Sequence, residues 1–196
     1  MYISQIKLNA DLKSAKRALS SPQIMHAIIE RCFDSSEQKL WRLDGEKLLI
    51  VSTKPPSEPE AALQLSTDLP MTKDYGPYLA SIKKGKVYRF RLTANPVHSV
   101  PLGPGKRGKV MAHVTIEQQM EWLREKSKKL GFTPHEFTIT ASSFLKFHKK
   151  GHEVTIKLAT YDGLLTVTDN NLLIKAMTEG IGRAKAYGAG LLTLMR

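Results

Sequence analysis

The chain has 196 residues, a hydrophobic fraction of 41% and a formal net charge of +12, with a pI near 9.8. That length fits one large domain or two small ones, and 30 Lys and Arg against 18 Asp and Glu point to a polyanionic partner such as nucleic acid. No run has the length of a membrane span, and the start Met1-Tyr-Ile-Ser-Gln-Ile-Lys-Leu8 alternates like a strand and lacks the apolar centre of a signal peptide. No membrane partner is expected, and the expected location is cytoplasmic. The single cysteine, Cys32, excludes an internal disulfide, and no Cys/His spacing suits zinc. Neither a structural metal nor a cofactor is expected.

The predicted elements run as follows. Residues 2–8 form a half-buried strand. Asp11 is placed to cap a short helix through Ala18. Ser20-Ser21-Pro22 restarts a helix, with Ile24, Met25, Ile28, Ile29, Cys32 and Phe33 at amphipathic spacing. Leu40–Leu43 and Lys47–Val51 flank Asp44-Gly45, a hairpin signal. Lys54–Pro59 is a loop and Ala61–Leu65 a short helix. Lys86–Ala94 alternates as a strand. Strand, helix, strand, strand, helix, strand is the ferredoxin-like order. Three prolines, three glycines, Lys106, Arg107 and Lys109 then mark residues 96–110 as a basic linker or loop.

Thr115 caps a helix from Ile116 to Leu130, with glutamates early and lysines late, as the helix dipole favours. Phe137–Thr140 and Ser143–Phe147 read as strand, His148–His152 as a turn, and Val154–Thr160 and Leu164–Val167 as returning strand. A helix from Asp169 and a last strand complete a second strand-rich unit. The expectation is an α+β fold of two tandem ferredoxin-like domains, residues 1–95 and 113–196, joined by a basic linker over 96–112.

Four stretches carry candidate chemistry. His26 lies near the start of the second helix, and a histidine is the side chain suited to give or take a proton; Arg31 follows one and a half turns later. Lys146, His148, Lys149, Lys150 and His152 crowd a hairpin tip around Gly151. Alternation puts Lys146 and His148 on one face and Phe147 on the other. Such a basic ribbon grips phosphates, and Lys157 on its returning strand joins the RNA-facing set. The linker adds Lys106, Arg107 and Lys109. Last, Gly180-Ile-Gly-Arg-Ala-Lys-Ala-Tyr-Gly-Ala-Gly190 holds Arg183 and Lys185 among Gly180, Gly182, Gly188 and Gly190. These glycines follow a helix and precede a strand, the reverse of a dinucleotide fingerprint. A phosphate-binding loop and a helix cap with a turn both fit them. No acidic cluster of the kind that holds catalytic Mg²⁺ is present. The available cleavage chemistry is therefore RNA-specific: a base takes the 2′-hydroxyl proton, and an acid protonates the leaving 5′-oxygen.

The opening Met1-Tyr-Ile-Ser, the Met25-His26 helix, Tyr88-Arg-Phe-Arg-Leu-Thr-Ala-Asn-Pro96, Tyr161-Asp-Gly-Leu-Leu-Thr-Val167 and Gly180–Leu194 together resemble the CasE family. These are CRISPR repeat-processing endoribonucleases of Cascade-type systems. The resemblance covers the whole chain in the same order. It implies two ferredoxin-like domains of the RAMP type and metal-independent cleavage at the 3′ base of the repeat hairpin. It also implies a 2′,3′-cyclic phosphate or 3′-phosphate end, retention of the mature guide RNA, and other Cascade subunits as partners. The family's catalytic histidine falls on His26. The RNA-gripping hairpin falls on residues 144–154, which gives Lys146, Lys149 and Lys150 an RNA-binding role, and Arg31 stands where a basic residue fits near the scissile phosphate. One departure is Gln23, where some relatives carry a tyrosine; glutamine is neither acid nor base at neutral pH. Two other readings are a noncatalytic guide-RNA-binding subunit of the same superfamily and a generic basic interaction protein.

Overall fold

Alternating apolar residues at the start of the chain form β1, Tyr2–Lys7. The structure is a computed structural model describing residues 1–33, 38–103, 105–106, 108–149 and 151–195. Helix α1 spans Lys13–Ser20 with Leu12 at its N-cap. Asp11 does not cap it; its backbone N–H instead donates to the Asn9 side chain at 2.9 Å, tightening the turn before the helix. Helix α2, Pro22–Cys32, is capped by Ser21, whose hydroxyl accepts from the Ile24 N–H. Its buried residues Met25, Ile28, Ile29 and Cys32 recur at spacings of three and four, and burial of such side chains contributes about 1.5–3 kcal/mol each. The Cys32 thiol is packed as expected, and burial raises its pKa to about 11.

Asp44 and Gly45 close a hairpin of β2, Lys39–Asp44, and β3, Lys47–Ser52. A 3-10 helix follows at Pro59–Gln64. A short strand, β4, Met71–Asp74, pairs with β1, and α3 spans Gly76–Ala80. The first sheet has the order β2-β3-β1-β4 with antiparallel pairing throughout.

The strand Val87–Ala94, β5, corrects the expected strand order. It hydrogen-bonds in the second sheet, pairing with β9 from Val87 to Ala94 and with β10. The first sheet is completed by β4, which is short and polar and gives no strand signal. Divided by sheets, the chain therefore parts between Asp74 and Val87 rather than at residues 95 and 96. The expected linker lies inside the second unit and is itself partly a hairpin, β6, Val97–Val100, with β7, Lys109–Ala112. Helix α4, Ile116–Ser127, starts at Thr115 with a capping box to Gln118. Two long strands follow, β8, Phe132–Lys149, and β9, His152–Val167. Each replaces two shorter predicted pieces, because bulges near residues 135–141 interrupt the register without ending the ladder. Helix α5, Asn170–Glu179, is capped by Asp169, and β10, Leu192–Met195, ends the sheet. The second sheet runs β10-β5-β9-β8. Both sheets thus show the ferredoxin-like arrangement of four antiparallel strands.

Residues two apart on β2 decide how the units meet. Trp41 packs into the core under α2, while Leu40 joins the core of the second unit. Arg42 shares the face of Leu40, is 2% exposed, and donates to the carbonyls of Arg91 and Leu191 and to the Thr193 hydroxyl at 2.8–3.0 Å. Its remaining N–H groups hold Asp44. No helix among the described residues is long and apolar enough to cross a membrane.

Candidate functional site

His26 follows Met25 on α2, one step round from the buried stripe, so its ring stands at the edge of the core with its side chain 36% exposed. Its Nδ1 faces the Glu30 carboxylate one turn on, at 3.7 Å. Glu30 is in turn held by Lys39 at 3.0 Å, whose side chain is buried. The opposite ring nitrogen, Nε2, has no protein partner among the described residues. The histidine is thus steadied on one side and open on the other, the arrangement a proton-transferring group needs.

The second neighbour of His26 is Tyr187, at the end of a short 3-10 turn over Lys185–Tyr187. The rings meet edge to face, with centroids 6.4 Å apart. Tyr187 also packs on Phe147 at 4.6 Å. Phe147 is the buried inward residue of the basic ribbon, and Lys146 and His148 on either side of it are exposed. The alternation expected from sequence therefore holds at this point. It joins three distant pieces of chain, α2, the glycine-rich loop and the ribbon, through the ring series His26, Tyr187, Phe147. A groove of about 210 Å³ runs beside them, lined by Pro22, Met25, Trp41, Leu145 and Tyr187 among others. Sequence reasoning missed Tyr187; an aromatic residue among small residues in a glycine-rich loop was the available signal.

Gly188 makes this junction possible. It has a φ of 80°, and a Cβ there would stand 2.8 Å from the Trp41 ring. Gly188→Ala is expected to cost about 1–3 kcal/mol in urea unfolding, through overpacking against a rigid ring and a strained backbone. Unchanged stability would show that Trp41 can move aside.

The other predicted residues fall into distinct places. Arg31 is exposed and folds back on its own helix, donating to the Ala27 carbonyl and to Gln64 at 3.1 Å. Gln23 lies one turn before His26 and makes no hydrogen bond among the described residues. His152 is exposed at the ribbon tip, and His148 is on the face away from Phe147, so His148 is turned from His26. Lys106 and Lys109 are exposed at the β6–β7 hairpin. Lys149 ends β8; Arg107 and Lys150 lie outside the described residues. Lys157 departs from the expectation of an open contact. It is 7% exposed, and its ammonium sits 4.4 Å from the Phe144 ring opposite it in the ladder, so cation–π packing occupies it. In the glycine-rich loop, Lys185 donates to the Glu179 carbonyl at the end of α5, a capping contact, whereas Arg183 is exposed. Gly180 packs on Leu40 and Gly188 on Trp41, so this loop also locks the two units together.

Fold and site define a strongly basic protein of two ferredoxin-like units in which a half-exposed histidine on a helix start is joined, through Tyr187, to a cationic ribbon. The chain belongs to the family described as CRISPR associated protein, whose model matches residues 1–196. It is 26% identical to the CRISPR-associated endoribonuclease Cse3 of Thermus thermophilus, over 99% of each chain. It is 30% identical to the CRISPR system Cascade subunit CasE of Escherichia coli K12, over 54% of this chain and 56% of that one. A solved structure of the CRISPR endoribonuclease Cse3 bound to 19 nt RNA superposes with a TM-score of 0.83 at 25% identity, covering both chains in full.

Proposed function

We propose that the chain is a metal-independent endoribonuclease that cuts CRISPR repeat RNA at the 3′ base of the repeat hairpin and keeps the mature guide RNA as a Cascade subunit. The observation that carries this reading is the contact of Tyr187 with both His26 and Phe147, which ties the histidine to the cationic ribbon. RNA held at the ribbon by Lys146, His148, Lys149, Lys150 and His152 reaches His26 around the ribbon edge, because Lys146 and His148 face away from Phe147. Relatives named as endoribonucleases and as a Cascade subunit support the same substrate and assembly.

The chemistry follows from the groups at hand. The 2′-oxygen attacks the adjacent phosphorus, the bond to the 5′-oxygen breaks, and a 2′,3′-cyclic phosphate and a 5′-hydroxyl result. One proton leaves the 2′-hydroxyl and one arrives at the 5′-oxygen. His26, through its open Nε2, performs one of these transfers, with the Glu30 carboxylate facing Nδ1 at 3.7 Å to stabilise the protonated ring. Arg31, released from Gln64, supplies charge to the phosphorane.

The test is cleavage of the cognate repeat RNA in EDTA, with a companion substrate carrying 2′-deoxy at the scissile nucleotide. One cut in the first and none in the second is expected. Tight binding without any cut would leave the noncatalytic guide-RNA-binding subunit as the correct reading. Tyr187→Phe keeps both ring contacts and is expected to cut at a rate near wild type. Tyr187→Ala is expected to be slowed by roughly 10–100-fold in single-turnover assays, since a small misplacement of a reacting group costs that much. Equal rates for the two variants would remove Tyr187 from the site.

A further inference from the structure

A second cationic cavity lies on the other side of the glycine-rich loop. It has a volume of about 380 Å³ and shares no lining residue with the groove beside His26. Trp122 and Lys126, one turn apart on α4, lie on the same helix face and both line it. Trp122 is 6% exposed and supports the loop: Gly182, with a φ of 81°, brings its backbone so close that a Cβ would touch the indole at 3.4 Å. The left-handed φ favours glycine there, and Arg183 lines the cavity together with Lys126 and with His98 of β6.

The charges of this cavity are uncompensated. No Asp or Glu lines it. Elsewhere on α4 the charges pair off, Arg124 with Glu121 and Lys128 with Glu125, and those two acids line only the neighbouring cavity. Lys126 and Arg183 make no ion pair or hydrogen bond among the described residues. The backbone N–H groups of Gly182, Arg183 and Ala184 likewise donate to no acceptor among them. Successive unused N–H groups beside two unpaired cations form an anion-binding concavity.

We propose that Lys126, Arg183 and the N–H groups of Gly182 and Arg183 form a second phosphate site, which grips a backbone phosphate of the RNA apart from the scissile one. The proposal rests on the reading of this chain as an RNA-cleaving protein. The glycine-rich loop then works on both sides: Tyr187 orders His26, and four residues earlier Arg183 anchors the RNA strand.

The experiment measures binding of the 2′-deoxy repeat RNA between 50 and 300 mM KCl, for wild type and for the Lys126→Ala, Arg183→Ala double variant. Binding about tenfold weaker at low salt is expected from two lost charge-assisted contacts, together with a log–log salt slope shallower by about 0.7–0.9, the signature of one phosphate released. Lys126→Arg with Arg183→Lys should restore the slope. A slope and affinity equal to wild type would overturn the proposal. So would a thermal shift with inorganic phosphate that the double variant loses while its RNA slope stays the same, because the site would then serve a free anion. Wild-type cleavage of the all-ribose RNA reports separately on the endoribonuclease reading.

Discussion

His26→Ala is expected to slow single-turnover cleavage of the repeat RNA by about 10²–10⁴-fold, the usual contribution of a positioned acid or base, and to leave RNA affinity unchanged. The separation of the two readouts follows from position. His26 sits at the edge of the α2 core stripe, its side chain 36% exposed, and supports no buried contact whose loss would unfold the helix. The cations proposed to grip phosphate lie on the ribbon and in the loops, and they remain. Glu30→Gln provides a graded companion. It keeps the shape beside Nδ1 and removes the carboxylate, so a smaller loss of rate is expected. If His26→Ala cut as fast as wild type, the proton would have to move through another group, and the assignment of His26 would be wrong whatever the fate of the substrate.

Arg42→Ala is expected to destabilise the protein by about 3–5 kcal/mol in urea unfolding, the range for breaking a buried, hydrogen-bonded ion pair from one side. Every guanidinium N–H is engaged: with Asp44, with the Arg91 and Leu191 carbonyls and with the Thr193 hydroxyl. The first unit holds the arginine and the second supplies three of its acceptors, so the loss falls on the joint between them. Arg42→Lys should recover little, since an ammonium cannot reproduce the planar fork. Asp44 also lies 3.6 Å from Arg91, which pairs with Asp162 at 2.6 Å. Burial pushes the Asp162 carboxyl up, but hydrogen bonds from Arg91 and Thr140 and the charges of Arg91 and Arg42 outweigh it, so its pKa is lowered. A carboxyl depressed in the folded state contributes stability above its unfolded pKa near 4, and that contribution fades as pH falls through the folded value. The joint should therefore loosen below about pH 4 in wild type, with a weaker acid dependence in Asp162→Asn. Wild-type stability in Arg42→Ala would mean that the units are held by the apolar contacts of Leu40 and its neighbours alone.

Much of this molecule is set by local pattern. The amphipathic stripe of α2, the Ser21 cap with Pro22, the Asp44-Gly45 turn, the Thr115 cap and the in-out alternation at Lys146, Phe147 and His148 all depend on residues a few positions apart. Their physics acts within one turn or one strand, so the chain states them directly. His26 belongs to the same class: its place on the helix start was legible, and so was the cationic ribbon. What the chain could not state was pairing at long range. Alternation makes Val87–Ala94 a strand but does not choose its neighbours, and it was β9 and β10 that claimed it, with the polar β4 closing the first sheet instead. The same limit applies to side chains. Lys157 has the charge for RNA, yet the ladder sets it opposite Phe144 and buries it. Arg42 looks like any surface arginine on a strand until the second unit covers it. Tyr187 gains its place only when the loop folds over Trp41 at Gly188. Composition, spacing and caps determined the elements, the basic character and the candidate histidine. Only tertiary packing decided which strands share a sheet, which cations stay open to RNA and which ring stands against His26, because those outcomes depend on pairing and burial between separate segments, some of them more than a hundred residues apart.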